Sequence, residues 1–156
     1  MTTLPFRPEL IISHSILNLR ITLASVEAGL NKAWAEYRFE VNLCLFHPTG
    51  TFTYSVSNLC FDVESFARFS RELKEFQGGE RQDAALRNVG DMLVLRVQGN
   101  SRSFMAQLKI REYLAPTIAS LTAEVELDYD LLVNKLPPEI DRFVEQIRLI
   151  NPAQAN

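Results

Sequence analysis

The chain has 156 residues, 47% of them hydrophobic and 22% charged, with ten Phe and a formal net charge of −3. That length suits one domain with a sizeable core, the composition excludes the disordered class, and no apolar run nears the roughly 18 residues of a membrane span. Lys and Arg occur singly and the balance is acidic, so no field gathers phosphates and no direct nucleic-acid binding is expected.

Residues 1–14 hold Pro5 and Pro8 and show no sustained period, so they read as an irregular arm. Met1 to Pro5 lack a basic segment followed by an apolar core, and a secretory leader is not expected. Leu17, Leu19, Ile21 and Leu23 alternate with Asn18, Arg20 and Thr22, which predicts a strand over about 15–24 with one face buried and one wet. Ser25 to Ala33, with Gly29, reads as a loop leading to Trp34, the only tryptophan, to which a core or rim-packing role falls. Tyr37, Phe39, Val41, Leu43 and Leu45 predict a strand over about 35–46, and a second over 51–57 closes a hairpin through His47–Gly50. In that register Leu45 faces Phe52, Leu43 faces Tyr54 and Val41 faces Val56, so apolar meets apolar. Cys44 then lies opposite Thr53 and Cys60 opposite Tyr37, roughly 23 Å apart at strand rise and too far for a disulfide. Both are expected as free thiols, as in a reducing compartment, and the expected location is cytoplasmic.

The period then changes. Asp62 suits an N-cap, and Phe66, Phe69, Leu73 and Phe76 recur at helical spacing over Val63 to Phe76 until Gly78 and Gly79 stop the helix. A short strand at Ala84 to Asn88 leads into strands of about 91–98 and 103–112, joined by the turn residues Gly99 to Arg102. Tyr113 to Thr122, with Pro116, is a connection long enough for a helical turn, and the last strand follows at about 122–131. Pro138 suits the first turn of a second helix, whose stripe is Ile140, Phe143, Val144, Ile147 and Ile150, before a tail at 151–156. Alternation, rather than continuous apolar runs, points to antiparallel pairing with one broad polar surface. The expected architecture is therefore one α+β domain spanning 1–156 with its globular core at 15–150. It has a mainly antiparallel sheet of about six to seven strands and two amphipathic helices on one layer. Strands followed by a helix occur in both halves, a loose echo of an internal repeat.

Residues with chemistry are sparse. His14 and His47 lie in different segments and the register separates Cys44 from Cys60, so neither a metal nor a cofactor is expected. There is no glycine-rich phosphate loop, no Gly-x-Ser-x-Gly elbow and no His-Glu-x-x-His helix. Cys44 and His47 are close in sequence, but Cys44 points to the polar face with no group to orient a base. The chain thus reads as non-enzymatic. Its most distinctive polar feature is the row Glu124, Glu126, Asp128 and Asp130, four carboxylates on one face of a strand whose other face carries Val125, Leu127 and Tyr129. A register placing Ile110 against Val125 sets Arg111 against Glu124 and Lys109 against Glu126, leaving Asp128 and Asp130 uncompensated as an acidic patch, which reads either as a solvated face or as a site for a partner.

At Trp34-Ala-Glu-Tyr-Arg-Phe-Glu-Val41, the helix Phe66-Ala-Arg-Phe-Ser-Arg-Glu-Leu73, and Glu124-Val-Glu-Leu-Asp128 leading to a closing amphipathic helix, the chain resembles the WapI-type family of small bacterial proteins. The resemblance spans about residues 15–150. It implies an immunity protein that binds and neutralises the toxic carboxy-terminal domain of a cognate contact-dependent toxin, and it carries no catalytic or contact residue over. Two other readings stand beside it. One is a small-molecule binder with an apolar pocket lined by Phe39, Phe66, Phe69 and Phe104; the other is a protein that self-associates through an edge strand.

Overall fold

The computed structural model describes residues 6–28, 35–99, 103–114 and 117–150. In chain order they form β1 (Glu9–His14), β2 (Leu17–Ala28), β3 (Ala35–His47), β4 (Gly50–Cys60), α1 (Val63–Gly78), β5 (Asp83–Arg87), β6 (Leu93–Gly99), β7 (Phe104–Leu114) and β8 (Thr117–Leu127). A π-helical turn (Asp130–Lys135) then runs directly into α2 (Leu136–Leu149). The strands make two four-stranded antiparallel sheets, β1-β2-β3-β4 and β5-β6-β7-β8, where a single sheet of six to seven strands was expected. The physical reason is connection length. Strands joined by short turns pair with their sequence neighbours, whereas the 16 residues of α1 interrupt the ladder between β4 and β5.

Several boundaries also differ from the alternation pattern. The expected arm contains β1, whose Leu10 and Ile12 are buried while Ile11 between them is exposed, so an outward isoleucine hid the period. The expected loop from Ser25 is strand as far as Ala28, because a bulge between Leu23 and Ser25 interrupts the apolar rhythm without ending the pairing. The expected connection at 113–122 is instead the end of β7 and the beginning of β8. Trp34, most of the Gly99–Arg102 turn and the 151–156 tail lie outside the described residues.

The chain divides into two units, Met1–Val63 with Arg142–Asn156, and Glu64–Asp141. In the first, Leu10, Ile12, Leu19, Ile21, Phe39 and Val41 are all essentially inaccessible to solvent. The Phe39 ring meets Phe61 edge-on at 5.4 Å between centroids and Phe143 of α2 at 6.2 Å. The β3–β4 register has Leu45 opposite Phe52, Leu43 opposite Tyr54, Val41 opposite Val56 and Cys44 opposite Thr53, as the apolar matching required. Cys60 pairs with Arg38 rather than Tyr37, because a bulge between Phe39 and Val41, with Asn58 at φ 63°, adds a residue to β4. Both cysteines are free.

In the second unit α1 buries Phe66, Phe69, Leu73 and Phe76, each worth roughly 1.5–3 kcal/mol of transfer free energy. Phe76 meets Phe104 of β7 at 5.6 Å, and Phe104 meets Tyr129 at 5.7 Å. Polar clamps fix the helix. Arg81 lies 3.1 Å from Glu75 and 3.5 Å from Glu72, and the other Glu72 oxygen accepts the Ala85 N–H at 3.2 Å, satisfying an amide on the β5 edge. The Ser70 hydroxyl and the Lys74 ammonium each donate to Asp141 at 2.6 Å. Among the described residues no helix is long and apolar enough to cross a membrane.

Candidate functional site

A sheet with one buried face shows its other face to solvent, and on β5–β8 that outer face collects most of the charge. The strand period puts Asp83, Ala85 and Arg87 of β5 outward, with Val94, Arg96 and Gln98 of β6, Met105, Gln107, Lys109 and Arg111 of β7, and Ser120, Thr122, Glu124 and Glu126 of β8. The ladders arrange these side chains in rows across the sheet. One row is Arg87, Val94, Lys109 and Thr122; the next is Ala85, Arg96, Gln107 and Glu124; the third is Asp83, Gln98, Met105 and Glu126. Arg111 stands beyond the first row, opposite Ser120, and its N–H donates to the Met92 carbonyl at 2.7 Å.

This register corrects the expected one. Lys109 faces Thr122 instead of Glu126, and Arg111 faces Ser120 instead of Glu124, a displacement of four residues along β8. β7 ends at Leu114 and β8 begins at Thr117, and these two residues pair, so the strands are in register from their adjoining ends. An even displacement keeps every side chain on its face, so the polarity pattern was right while the neighbours were wrong. The consequence is electrostatic. Two cation–carboxylate pairs that would have stood directly opposite are displaced, with Lys109 and Arg111 lying toward one end of the surface and Glu124 and Glu126 toward the other.

At the acidic end Glu124 accepts from the Gln107 amide at 3.0 Å and Glu126 lies 3.3 Å from the Ser103 hydroxyl, both exposed. Asp128 and Asp130, expected as uncompensated members of the strand, lie beyond its end. Asp128 Oδ1 accepts the Leu131 N–H at 2.8 Å, and Asp130 pairs with Lys135 at 2.7 Å and accepts from the Asn134 amide at 2.9 Å. In a π-helix residues five apart stack on one another, and the Leu136 N–H bonds back to the Leu131 carbonyl in that pattern. Hydrogen bonds from Lys135 and Asn134 hold the Asp130 carboxyl below its ordinary value, and the same bond raises Lys135. These two aspartates close the turn into α2.

At the basic end Arg87, Arg96, Lys109 and Arg111 line an open cleft of about 230 Å³ with Val94, Gln107 and a single carboxylate, Asp91. Arg87 reaches Asp91 at 3.7 Å and Arg96 reaches Asp83 at 3.3 Å. Among the described residues Lys109 and Arg111 have no ion-pair partner. The β5–β6 turn is held by buried Asn88, whose Oδ1 accepts the Leu93 N–H at 2.7 Å and whose amide donates to the Val89 carbonyl at 2.9 Å. That frame carries Asp91, at φ 52°, beside Arg87. Reading cations along the chain could not reveal this cluster, since its members come from three strands; the one local signal was Lys109 and Arg111 two apart on one strand.

No group of three or more His, Cys, Asp or Glu among the described residues converges as metal ligands do. The polar groups of the sheet face lie in rows rather than around one point, an arrangement suited to reading another surface. No family model matches this chain, and no curated protein or solved structure does either.

Proposed function

We propose that this chain is a non-enzymatic protein-binding module that presents the outer face of β5–β8 to a partner protein. On its resemblance to the WapI-type family, the partner is a toxin domain that the chain neutralises within the cytoplasm of the producing cell. The observation that carries the binding reading is the separation of charge on that face, with Glu124 and Glu126 exposed at one end and Lys109 and Arg111 at the other. Surface charges left unmatched within a chain steer diffusional encounter and fix the orientation of a complex. Glu124 and Glu126 form the acidic contact, with Asp128 and Asp130 at its margin. Phe39, Phe66, Phe69 and Phe104, the side chains of the pocket reading, are at most 3% exposed.

The test is protection. The chain is co-expressed with a candidate toxin domain, sought among the genes adjoining its own, and growth is followed together with complex formation by size exclusion. Rescue of growth and a stoichiometric complex are expected; undiminished toxicity with no complex would remove the immunity reading.

A further inference from the structure

We propose that the basic end of the β5–β8 face, centred on Lys109 and Arg111, docks a carboxylate-rich segment of the partner protein; this deepens the binding reading above and rests on it. Arg87 and Arg96 are already engaged by Asp91 and Asp83, whereas Lys109 and Arg111 have no ion-pair partner among the described residues. They sit two residues apart on one face of β7, about 7 Å at strand rise, and repel one another. Carboxylates placed over the cleft relieve that repulsion, and Gln107 adds a neutral donor beside them.

The surroundings distinguish among anions. A small oxyanion needs converging, sheltered donors, but this cleft is open and its arginines are exposed, Arg87 at 51% and Arg96 at 43% of the side chain. Affinity here comes from several weak contacts along an extended partner. A nucleic acid has uniform negative charge, and Glu124 and Glu126 begin one row further along the face. That row lies about 7 Å away, within the roughly 10 Å over which charges act at moderate salt. A polyanion crossing the face meets like charge at once. A protein segment can set Asp or Glu over the basic end and Lys or Arg over the acidic one, so the two ends also fix which way the segment lies.

The experiment titrates a fluorescein-labelled peptide, a glutamate block followed by a lysine block, with the full chain and follows anisotropy at low and at physiological salt. Binding at low salt that weakens steeply with added salt is expected. Replacing Lys109 and Arg111 together by Gln is expected to weaken it about tenfold. Replacing Arg68 and Arg71, exposed cations of α1, by Gln leaves it unchanged. Equal losses in the two double variants would reduce the effect to overall charge and overturn the proposal. Tighter binding of a labelled oligothymidylate, or full displacement of the peptide by equimolar inorganic phosphate, would overturn it too. The titration needs no toxin, so its failure removes the basic docking site alone, whereas failure of growth rescue removes the immunity reading alone.

Discussion

Gly99 closes β6 at a point where a side chain has no room: a Cβ there would stand 2.4 Å from the Phe104 ring and 2.6 Å from the Ser103 carbonyl oxygen. The ring could turn only by leaving Phe76 and Tyr129, so Gly99→Ala is expected to cost about 1–3 kcal/mol, measured by thermal or chemical denaturation. Cys60 illustrates control by neighbours. Burial, followed by the negative charge of Glu36, raises its thiol above the ordinary value, against a smaller opposite effect of Arg38. Removing the charge in Glu36→Gln leaves more thiolate near neutral pH and is expected to speed alkylation of Cys60 roughly two- to threefold, followed by mass spectrometry. An unchanged rate would show that Glu36 does not govern this thiol. Asp128 and Asp130 are legible in sequence as acidic residues but not as a cap and a clasp, because both roles depend on a π-turn that no periodicity announces. Substituting both by Asn is therefore expected to lower the melting temperature.

At the scale of elements, the α1 stripe was legible because 3.6-residue spacing is a local property, and all four of its members are buried. Leu73→Asp places an unpaired carboxylate among Phe residues and is expected to destabilise by several kcal/mol; a melting temperature equal to wild type would remove this stripe from the core. The start of α2 is tied to α1 by Asp141. Burial raises its carboxyl, but hydrogen bonds from Lys74 and Ser70 and the Lys74 charge outweigh burial, so the group stays below its ordinary value. A depressed carboxylate contributes stability that is complete above its unfolded value, near 3.8, and is lost as pH falls through the lower folded value. Asp141→Asn is expected to cost about 1 kcal/mol at neutral pH, discounted because both partners of the pair are near half exposed. The difference from wild type is expected to shrink only when unfolding is measured below pH 3.8.

Over the whole molecule the same plan occurs twice, a four-stranded meander followed by a helix, which is the form of the echo heard in the sequence. Among the described residues both sheets keep strict sequence order, so each strand pairs with its sequence neighbours and no crossover connects strands within a sheet. Long edges are the hazard of such sheets, and β8 guards its edge with Glu124 and Glu126. Replacing both by Gln is expected to change stability by less than about 0.5 kcal/mol, yet to slow association with a basic partner at low salt. Stopped-flow association rates would check this, and an unchanged rate would make the acidic end a solvated margin.

The sequence by itself determined the α+β class, the two helices, the buried face of the strands whose alternation is unbroken and the β3–β4 register from Val41 to His47. Each rests on local periodicity, or on apolar residues that must meet across a short turn. Tertiary structure alone decided that the strands form two sheets and that Lys109 faces Thr122. It also decided that four cations from three strands share one cleft. Alternation reports which side of a strand is buried but repeats every two residues, so it cannot distinguish one even register from another. Only the closing turns and the packing of whole strands choose between them, and on that choice depends whether opposite charges cancel or stand apart.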